Sequence, residues 1–209
     1  MKKIVTHLEA APSGDTEPDS PLFVEGQLQL DIDQRDARWQ PLLVTLKAHA
    51  ALVWRELALP SCEICMVLAD DTLLAELNQN YRDKSGPTNV LSFPAQDFVA
   101  PQSQKTMRAE VNKQAGQFAG APLLLGDIVL SYDRLLDEVA GDDARLSNHA
   151  MHLVTHGILH LMGHDHMQTD EAEIMESLET QLMQAAGLPD PYGAHAGDDS
   201  GDKNHEVGR

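Results

Sequence analysis

Apolar and polar residues follow one another in patterns that predict four strands. The stretch LQLDID, which begins at Leu28, alternates apolar and polar residues, as is typical of a half-buried strand. Residues 62–68 form an apolar run that favours a buried strand, and the short runs NVLSF and LLLGDIVLS predict two more. Because residues 95–122 separate these last two runs, we expect a hairpin with an expanded loop that is either functional or mobile.

Apolar residues at helical spacing predict about five helices. Asp70 is a suitable N-cap for one of them. The predicted helices are residues 41–57 and the segments DTLLAELNQNYR, YDRLLDEVA, ARLSNHAMHLVTHGILHLM and DEAEIMESLETQLMQAA. Strands come first, with an early crossover, and helices follow. This order predicts an α+β domain in which about five helices cover a small mixed four-stranded sheet.

The two ends of the chain differ in composition from the middle. Residues 1–21 and 188–209 are rich in Pro, Gly, Ser and Asp and poor in large apolar side chains, so we expect both to be disordered. A chain of 209 residues suits one domain. We therefore predict a single domain over residues 22–187, preceded by an extension and followed by an acidic tail.

Targeting and redox signals are weak. The opening MKKIVTHLEAA is interrupted by His7 and Glu9 before a signal peptide could form, and no apolar stretch approaches the roughly 18 residues of a membrane span. Cys62 and Cys65 stand three apart in a predicted strand, so their thiols should point to opposite faces as small core residues. We expect a cytoplasmic protein that does not bind membranes.

The net charge of −18 argues against a broad basic surface for nucleic acid. The charge is uneven, however, because residues 82–113 contain five Lys or Arg against three Asp or Glu. An acidic protein of this kind can still have a local positive groove. Three of the cations, Lys105, Arg108 and Lys113, belong to the long loop, which we expect to be mobile and near the mouth of an active site.

The stretch HGILHLMGHDH has the spacing of a metal site. His156 and His160 are four apart and therefore project from one face of a central helix, and Gly163 stands where that helix should end. The chain can then turn back to bring His166 to the same point. Three histidine nitrogens with one open position are typical of catalytic zinc, so we predict one zinc ion bound by these three residues. His164 is the competing third ligand.

Neighbouring residues restrict the chemistry. The spacing matches the zinc motif HExxHxxGxxH, but Gly157 replaces the glutamate that acts as general base in metalloproteases. A site without that base suits a substrate that is already charged. His149 and His152 are interpreted as packing groups or as groups that support the ligands, and Asp165 as a residue that could orient a ligand imidazole.

A second unusual stretch is NQNYRDKSGPTNVLSFP. It places Arg82 and Lys84 at the end of a predicted helix, followed by a tight turn. Taken alone, two cations there are explained by a favourable interaction with the helix C-terminus.

Together, NxxYRxKxxPTxVLSFP, then GDI before a strand, then HGxLHLxGHDH resemble the YbeY family of metal-dependent endoribonucleases, from about Leu28 to about Tyr192. The resemblance implies cleavage of single-stranded RNA in ribosomal RNA maturation and ribosome quality control, with a zinc-like metal on the three histidines and Arg82 required for activity. It also implies ribosomal small-subunit or assembly proteins as partners and no action on DNA. The chain departs from the family pattern at Asn89, where Asp is usual, and in its longer loop after Pro94.

These features combine into one hypothesis of metal-assisted phosphodiester hydrolysis. Zinc would activate a water, Arg82 would hold the scissile phosphate, and Lys84 would assist as a point charge. Two alternatives stay open. One is a zinc hydrolase of peptides or small molecules, and the other is a non-catalytic ribosome assembly factor with a structural metal.

Overall fold

A computed structural model describes residues 28–117, 121–164 and 169–193. Its centre is a four-stranded sheet with the strand order β1-β2-β4-β3. Strands β1, β2 and β4 are parallel, and β3 is an antiparallel edge strand on β4. The strands are β1 Leu28–Gln34, β2 Cys62–Ala69, β3 Val90–Pro94 and β4 Leu123–Ser131. The predicted mixed sheet is thus confirmed, including the antiparallel pairing of the last two strands.

Within the described residues, six α-helices and one 3₁₀ helix surround this sheet. They are the 3₁₀ helix Ala37–Leu42 and the helices α1 Leu43–Leu57, α2 Asp71–Arg82, α3 Gln104–Ala115, α4 Tyr132–Glu138, α5 Asp143–Leu161 and α6 Thr169–Ala185. The chain is therefore an α+β protein, as predicted. Within the described ranges, no helix is long and apolar enough to cross a membrane.

The two faces of the sheet differ in the helices that cover them. On one face Ile64 and Met66 of β2 join a large core with apolar residues of α1, α5 and α6. On the other face Cys65 and Val67 join a smaller cluster with Leu74 of α2. Because alternate residues of a strand point to opposite faces, α2 lies across the sheet from α5.

Helix α2 has a defined start and end. The side chain of Asp70 accepts a hydrogen bond from the backbone N–H of Leu73 at 3.2 Å, which is the predicted cap. The helix ends at Asp83, whose φ of 54° is left-handed, and the side-chain amide of Asn78 donates to the carbonyl of Gly86 at 2.8 Å. These contacts fix the turn that follows Arg82.

The expectation that residues 95–122 form a mobile loop is wrong for residues 104–115. Residues 104–115 form α3, which begins with a capping box between Ser103 and Thr106. Met107 and Val111 are fully buried in the large core, and Arg108 Nε donates to the carbonyl of Leu57 at 3.0 Å. Only two apolar residues at helical spacing anchor α3, so its periodicity in the sequence is weak.

The predicted terminal segments fall mostly outside the described residues, which omit 1–27 and 194–209. The start of the predicted tail at residue 188 is too early, however. Leu188 packs against the large core, and the Tyr192 hydroxyl donates a hydrogen bond to Glu179 of α6. Residues 188–193 therefore belong with the folded domain.

Candidate metal centre

Gly157 allows α5 to lie directly on the sheet. A Cβ atom at this position would come within 2.8 Å of Ile128 Cγ2 in β4, and the Ser92 hydroxyl of β3 donates to the Gly157 carbonyl at 3.3 Å. A glutamate here would meet the sheet rather than extend toward the histidines. The residue that departs from the protease motif therefore lies directly against the sheet.

His156 and His160 bring their Nε2 atoms together at 2.9 Å. The Nδ1 atom of His156 faces a carboxylate oxygen of Glu179 at 2.8 Å, and that of His160 faces the carbonyl oxygen of His164 at 2.8 Å. Because these oxygens only accept hydrogen bonds, the neutral form of each imidazole would carry its proton on Nδ1. In that form the two Nε2 atoms face each other, a placement that suits two ligands of one metal ion.

The end of α5 is shaped by Gly163. Its φ of 85° is left-handed, and a Cβ there would lie 2.8 Å from Cβ of Phe98. The resulting turn brings the backbone of His164 back under α5, where its N–H donates to the carbonyl of Leu159 at 3.2 Å. Part of the long segment after β3 thus contacts the end of the histidine helix.

The third predicted ligand, His166, lies outside the described residues, and so does Asp165. Among the residues that are described, no group of three His, Cys, Asp or Glu is placed to hold a metal. The competing ligand, His164, is described and does not complete a set with His156 and His160. Burial lowers the pKa of His164 to about 4, although the negative charge of Glu179 opposes this shift.

Glu179 supports the histidine pair from α6 and was missed by the sequence analysis. Its side chain is 0% exposed and accepts hydrogen bonds from His156, from His152 Nε2 at 3.0 Å and from the Tyr192 hydroxyl. Burial raises the pKa of Glu179, but the hydrogen bonds from His152 and His156 outweigh it and hold the pKa at about 2. The carboxylate is therefore ionised, and no Lys or Arg of the described residues pairs with it.

A signal for Glu179 was present in the sequence. The apolar face of α6 is formed by Met175, Leu178 and Leu182, and Glu179 lies within that stripe. A carboxylate on the buried face of a helix needs a partner, because an unpaired buried charge is costly.

The other two histidines of α5 also pair with carboxylates, His152 with Glu179 and His149 with Glu138. His149 Nε2 pairs with Glu138, which in turn accepts hydrogen bonds from Asn89 Nδ2 at 3.0 and 3.1 Å. Burial would raise the pKa of Glu138, but the hydrogen bonds from His149 and Asn89 outweigh it and lower that pKa. The amide of Asn89 is therefore a donor to a carboxylate.

Arg82 and Lys84 are exposed at the end of α2. This helix covers the sheet face opposite α5, and within the described chain no hydrogen bond or ion pair joins either cation to His156 or His160. Among the described residues, the structure therefore does not bring Arg82 or Lys84 into contact with His156 or His160.

Two of the three predicted cations of the long segment have other contacts. Arg108 donates to a carbonyl of α1, as described above, and Lys113 pairs with Glu110 at 3.1 Å within α3. The residue of this segment that contacts the end of α5 is Phe98.

Comparison with known proteins gives consistent matches. The family model described as Endoribonuclease YbeY matches residues 31–187, which include Arg82 and the three predicted histidine ligands. A protein named Endoribonuclease YbeY from Parvibaculum lavamentivorans is 44% identical over 134 residues, which cover 64% of this chain and 67% of that protein. A protein of the same name from Ruegeria pomeroyi is 36% identical over 167 residues, which cover 79% of this chain and 98% of that protein.

Another relative of that name, from Paracoccus denitrificans, is 35% identical over 189 residues, covering 88% of this chain and 97% of that protein. A solution structure from Thermotoga maritima overlays 86% of this chain and 100% of that chain, with a TM-score of 0.43 and 16% identity.

Proposed function

Because this chain belongs to the YbeY family of endoribonucleases, we propose that it is a metal-dependent endoribonuclease that hydrolyses phosphodiester bonds in single-stranded RNA. We further propose that it acts in the cytoplasm on ribosomal RNA precursors, in maturation and quality control, together with small-subunit or assembly proteins of the ribosome. The observation that supports metal dependence most strongly is that the Nε2 atoms of His156 and His160 face each other at 2.9 Å.

The donor set fits a zinc ion. Two neutral imidazoles whose Nε2 atoms lie 2.9 Å apart cannot hydrogen bond to each other when both protons are on Nδ1. Imidazole nitrogens are ligands that zinc commonly takes, so this facing pair suits the ion. The buried negative charge of Glu179 adds electrostatic attraction for a cation nearby. His156, His160 and His166 would hold the metal.

Zinc bound there would supply Lewis acidity to the phosphate and lower the pKa of a coordinated water. The chain's own residues have separate tasks. Glu179 keeps the His156 proton on Nδ1, and the His164 carbonyl does the same for His160. Arg82 would hold the scissile phosphate with charge-assisted hydrogen bonds, and Lys84 would add a second positive charge.

The same contacts weigh against peptide hydrolysis. That reaction in the matching zinc motif uses a glutamate at the position of Gly157, and this position faces Ile128 of the sheet. A phosphodiester carries its own negative charge, which Arg82 and Lys84 are suited to bind. The charges of the exposed residues therefore favour RNA over a peptide.

The experiment is cleavage of a labelled single-stranded RNA by the purified full-length chain before chelation, after chelation and after zinc is restored. We expect cleavage to be lost with the metal and to return with it. A sample that cleaves equally well after complete metal removal would contradict the proposal. A sample that cleaves peptides but leaves RNA intact would favour the alternative hydrolase.

A further inference from the structure

Tyr81 is an exposed aromatic residue in a chain with few aromatic side chains. It lies in the last turn of α2, directly before Arg82, and is 54% exposed. Its ring meets that of Phe93 in β3 in an edge-on contact, with centroids 5.3 Å apart and planes at 71°. Because such a contact covers at most one face of either ring, Tyr81 is held in place while much of its surface faces solvent.

The charges next to this ring suit a polyanion. Arg82 and Lys84 are exposed, and within the described chain neither has a hydrogen bond or ion pair through its side chain. Most other arginines of that part of the chain are paired with carboxylates or a carbonyl, as Arg134 is with Asp71. Two unpaired cations beside an aromatic ring are therefore unusual on this acidic protein.

The backbone around the ring is fixed. The left-handed Asp83 ends α2, the N–H of Lys84 donates to the Asn78 carbonyl at 3.3 Å, and the Asn78 side chain holds Gly86. The ring of Tyr81 and the cation of Arg82 thus start from a rigid helix end. A rigid aromatic surface costs little entropy when a ligand binds to it.

Edge strand β3 connects this surface to the histidine pair. Phe93 contacts Tyr81 on the α2 side of the sheet, whereas its neighbour Ser92 donates to the Gly157 carbonyl on the α5 side. Gly157 follows His156 directly in the chain. The two surfaces are therefore separated by a single edge strand, around which an extended strand of RNA could pass.

We propose that Tyr81 is a stacking platform for an unpaired nucleobase of the RNA whose phosphate Arg82 holds. The inference rests on the proposed function and adds to it a reason for preferring single strands. A base can stack on a protein ring only when it has left its own stack, and stacking tolerates any base because each has a flat aromatic face.

The experiment measures RNA cleavage by the zinc-loaded full-length chain and RNA binding by the same chain after the metal has been removed. Tyr81→Ala should weaken binding of a fluorescein-labelled single-stranded RNA by about 5- to 150-fold, which is the range for one stacked base. The KM for cleavage should rise by a similar factor, while kcat changes little. Tyr81→Trp and Tyr81→Phe should keep both values near those of the native chain. Binding is measured by fluorescence anisotropy with a chelator present, so that the RNA stays intact.

The control is Val44→Ala, because Val44 is 80% exposed and lies in α1 on the other face of the sheet. It should leave both values unchanged. Equal RNA binding by Tyr81→Ala and the native chain would overturn the platform, and so would a loss with Tyr81→Phe as large as with Tyr81→Ala. If the native chain fails to cleave RNA, the proposed function fails. If it cleaves RNA and Tyr81→Ala keeps its affinity and KM, only the platform fails.

Discussion

The histidine face of α5 and the C-terminal end of α2 are both rich in polar groups. They differ in whether these groups have hydrogen-bond partners within the protein. On α5, His156 and His160 each have a fixed Nδ1 partner, and the carboxylate behind them is fully buried. On α2, Arg82 and Lys84 face solvent without a side-chain partner in the described chain. The first region is organised before any ligand arrives, whereas the second has unused charge that a ligand can neutralise.

The largest effect on RNA cleavage is expected at the exposed C-terminal end of α2. Arg82→Ala should lower single-stranded RNA cleavage by about 10²–10³-fold, as expected for removal of a group that stabilises transition-state charge. Stability should fall by only about 0.3–1 kcal/mol, since an exposed cation in the last helical turn contributes little. Zinc content should stay the same. Arg82→Lys should recover little, because an ammonium lacks the planar pair of donors that grips phosphate.

These values are obtained from the cleavage rate, the melting temperature and the zinc content of the same three preparations. Near-normal cleavage by Arg82→Ala would show that the arginine only stabilises the helix end. The exposed charge at the end of α2 would then have no role in RNA cleavage.

The second effect belongs to the buried region. Glu179→Gln should reduce zinc affinity by about 10–100-fold, as is typical when the partner of a ligand histidine is altered. Glu176→Gln is the matched control, because Glu176 lies on the exposed side of the same helix. Zinc affinity is measured by competition with a chelator, and the melting temperature of the metal-free proteins is measured in parallel. Unchanged zinc affinity in Glu179→Gln would contradict the positioning role.

The third effect concerns the histidine beneath α5. His49 of α1 is 4% exposed, its Nε2 lies 2.8 Å from the Thr155 hydroxyl, and burial lowers its pKa to about 4. In the unfolded chain His49 binds a proton more tightly than in the folded chain. The free energy of unfolding therefore falls as the pH drops from about 6.5 toward 4. The loss between pH 7 and pH 5 should be about 2 kcal/mol.

This pH-dependent loss of stability is measured by denaturant unfolding at several pH values, with the native chain and His49→Gln compared. The variant should show a flatter dependence over the same window. Identical slopes for the two proteins would mean that the pKa of His49 is the same in the folded and the unfolded chain.

The smallest effect is expected at Asn89. Its amide donates to both oxygens of Glu138, so Asn89→Asp replaces a donor by a second negative charge. Because the pair is partly exposed, we expect a loss of about 1 kcal/mol, seen as a drop of a few degrees in melting temperature. An increase in RNA cleavage would instead show that an acid at this position takes part in the reaction.

The sequence predicted the parts of the fold that have strong local patterns. The apolar runs of β2 and β4 and the periodicity of α5 were sufficient for the sheet and the central helix. Helix α3 was missed because its core contact depends on Met107 and Val111 alone within a polar segment. The folded segment that ends at Tyr192 was missed because its main contact is with a residue of another element.

In the candidate site, too, only the part that depends on local sequence could be predicted. The pairing of His156 with His160 follows from helix geometry, so the sequence alone was enough to predict it. The partner of His156 lies 23 residues further along, in α6, and only the tertiary structure brings the two together. The relation of Arg82 to the histidines also depends on packing across β3, which no local pattern specifies.

The most direct test of the metal centre is the zinc content of the full-length chain after exposure to zinc and removal of the excess. Elemental analysis should give close to one zinc per native chain and almost none for His156→Ala, because one of the two facing lone pairs is gone. His149→Ala is the matched control on the same helix face and should keep its zinc, since His149 pairs with Glu138. A His156→Ala protein with full zinc content, or a native chain that retains none, would contradict the assignment.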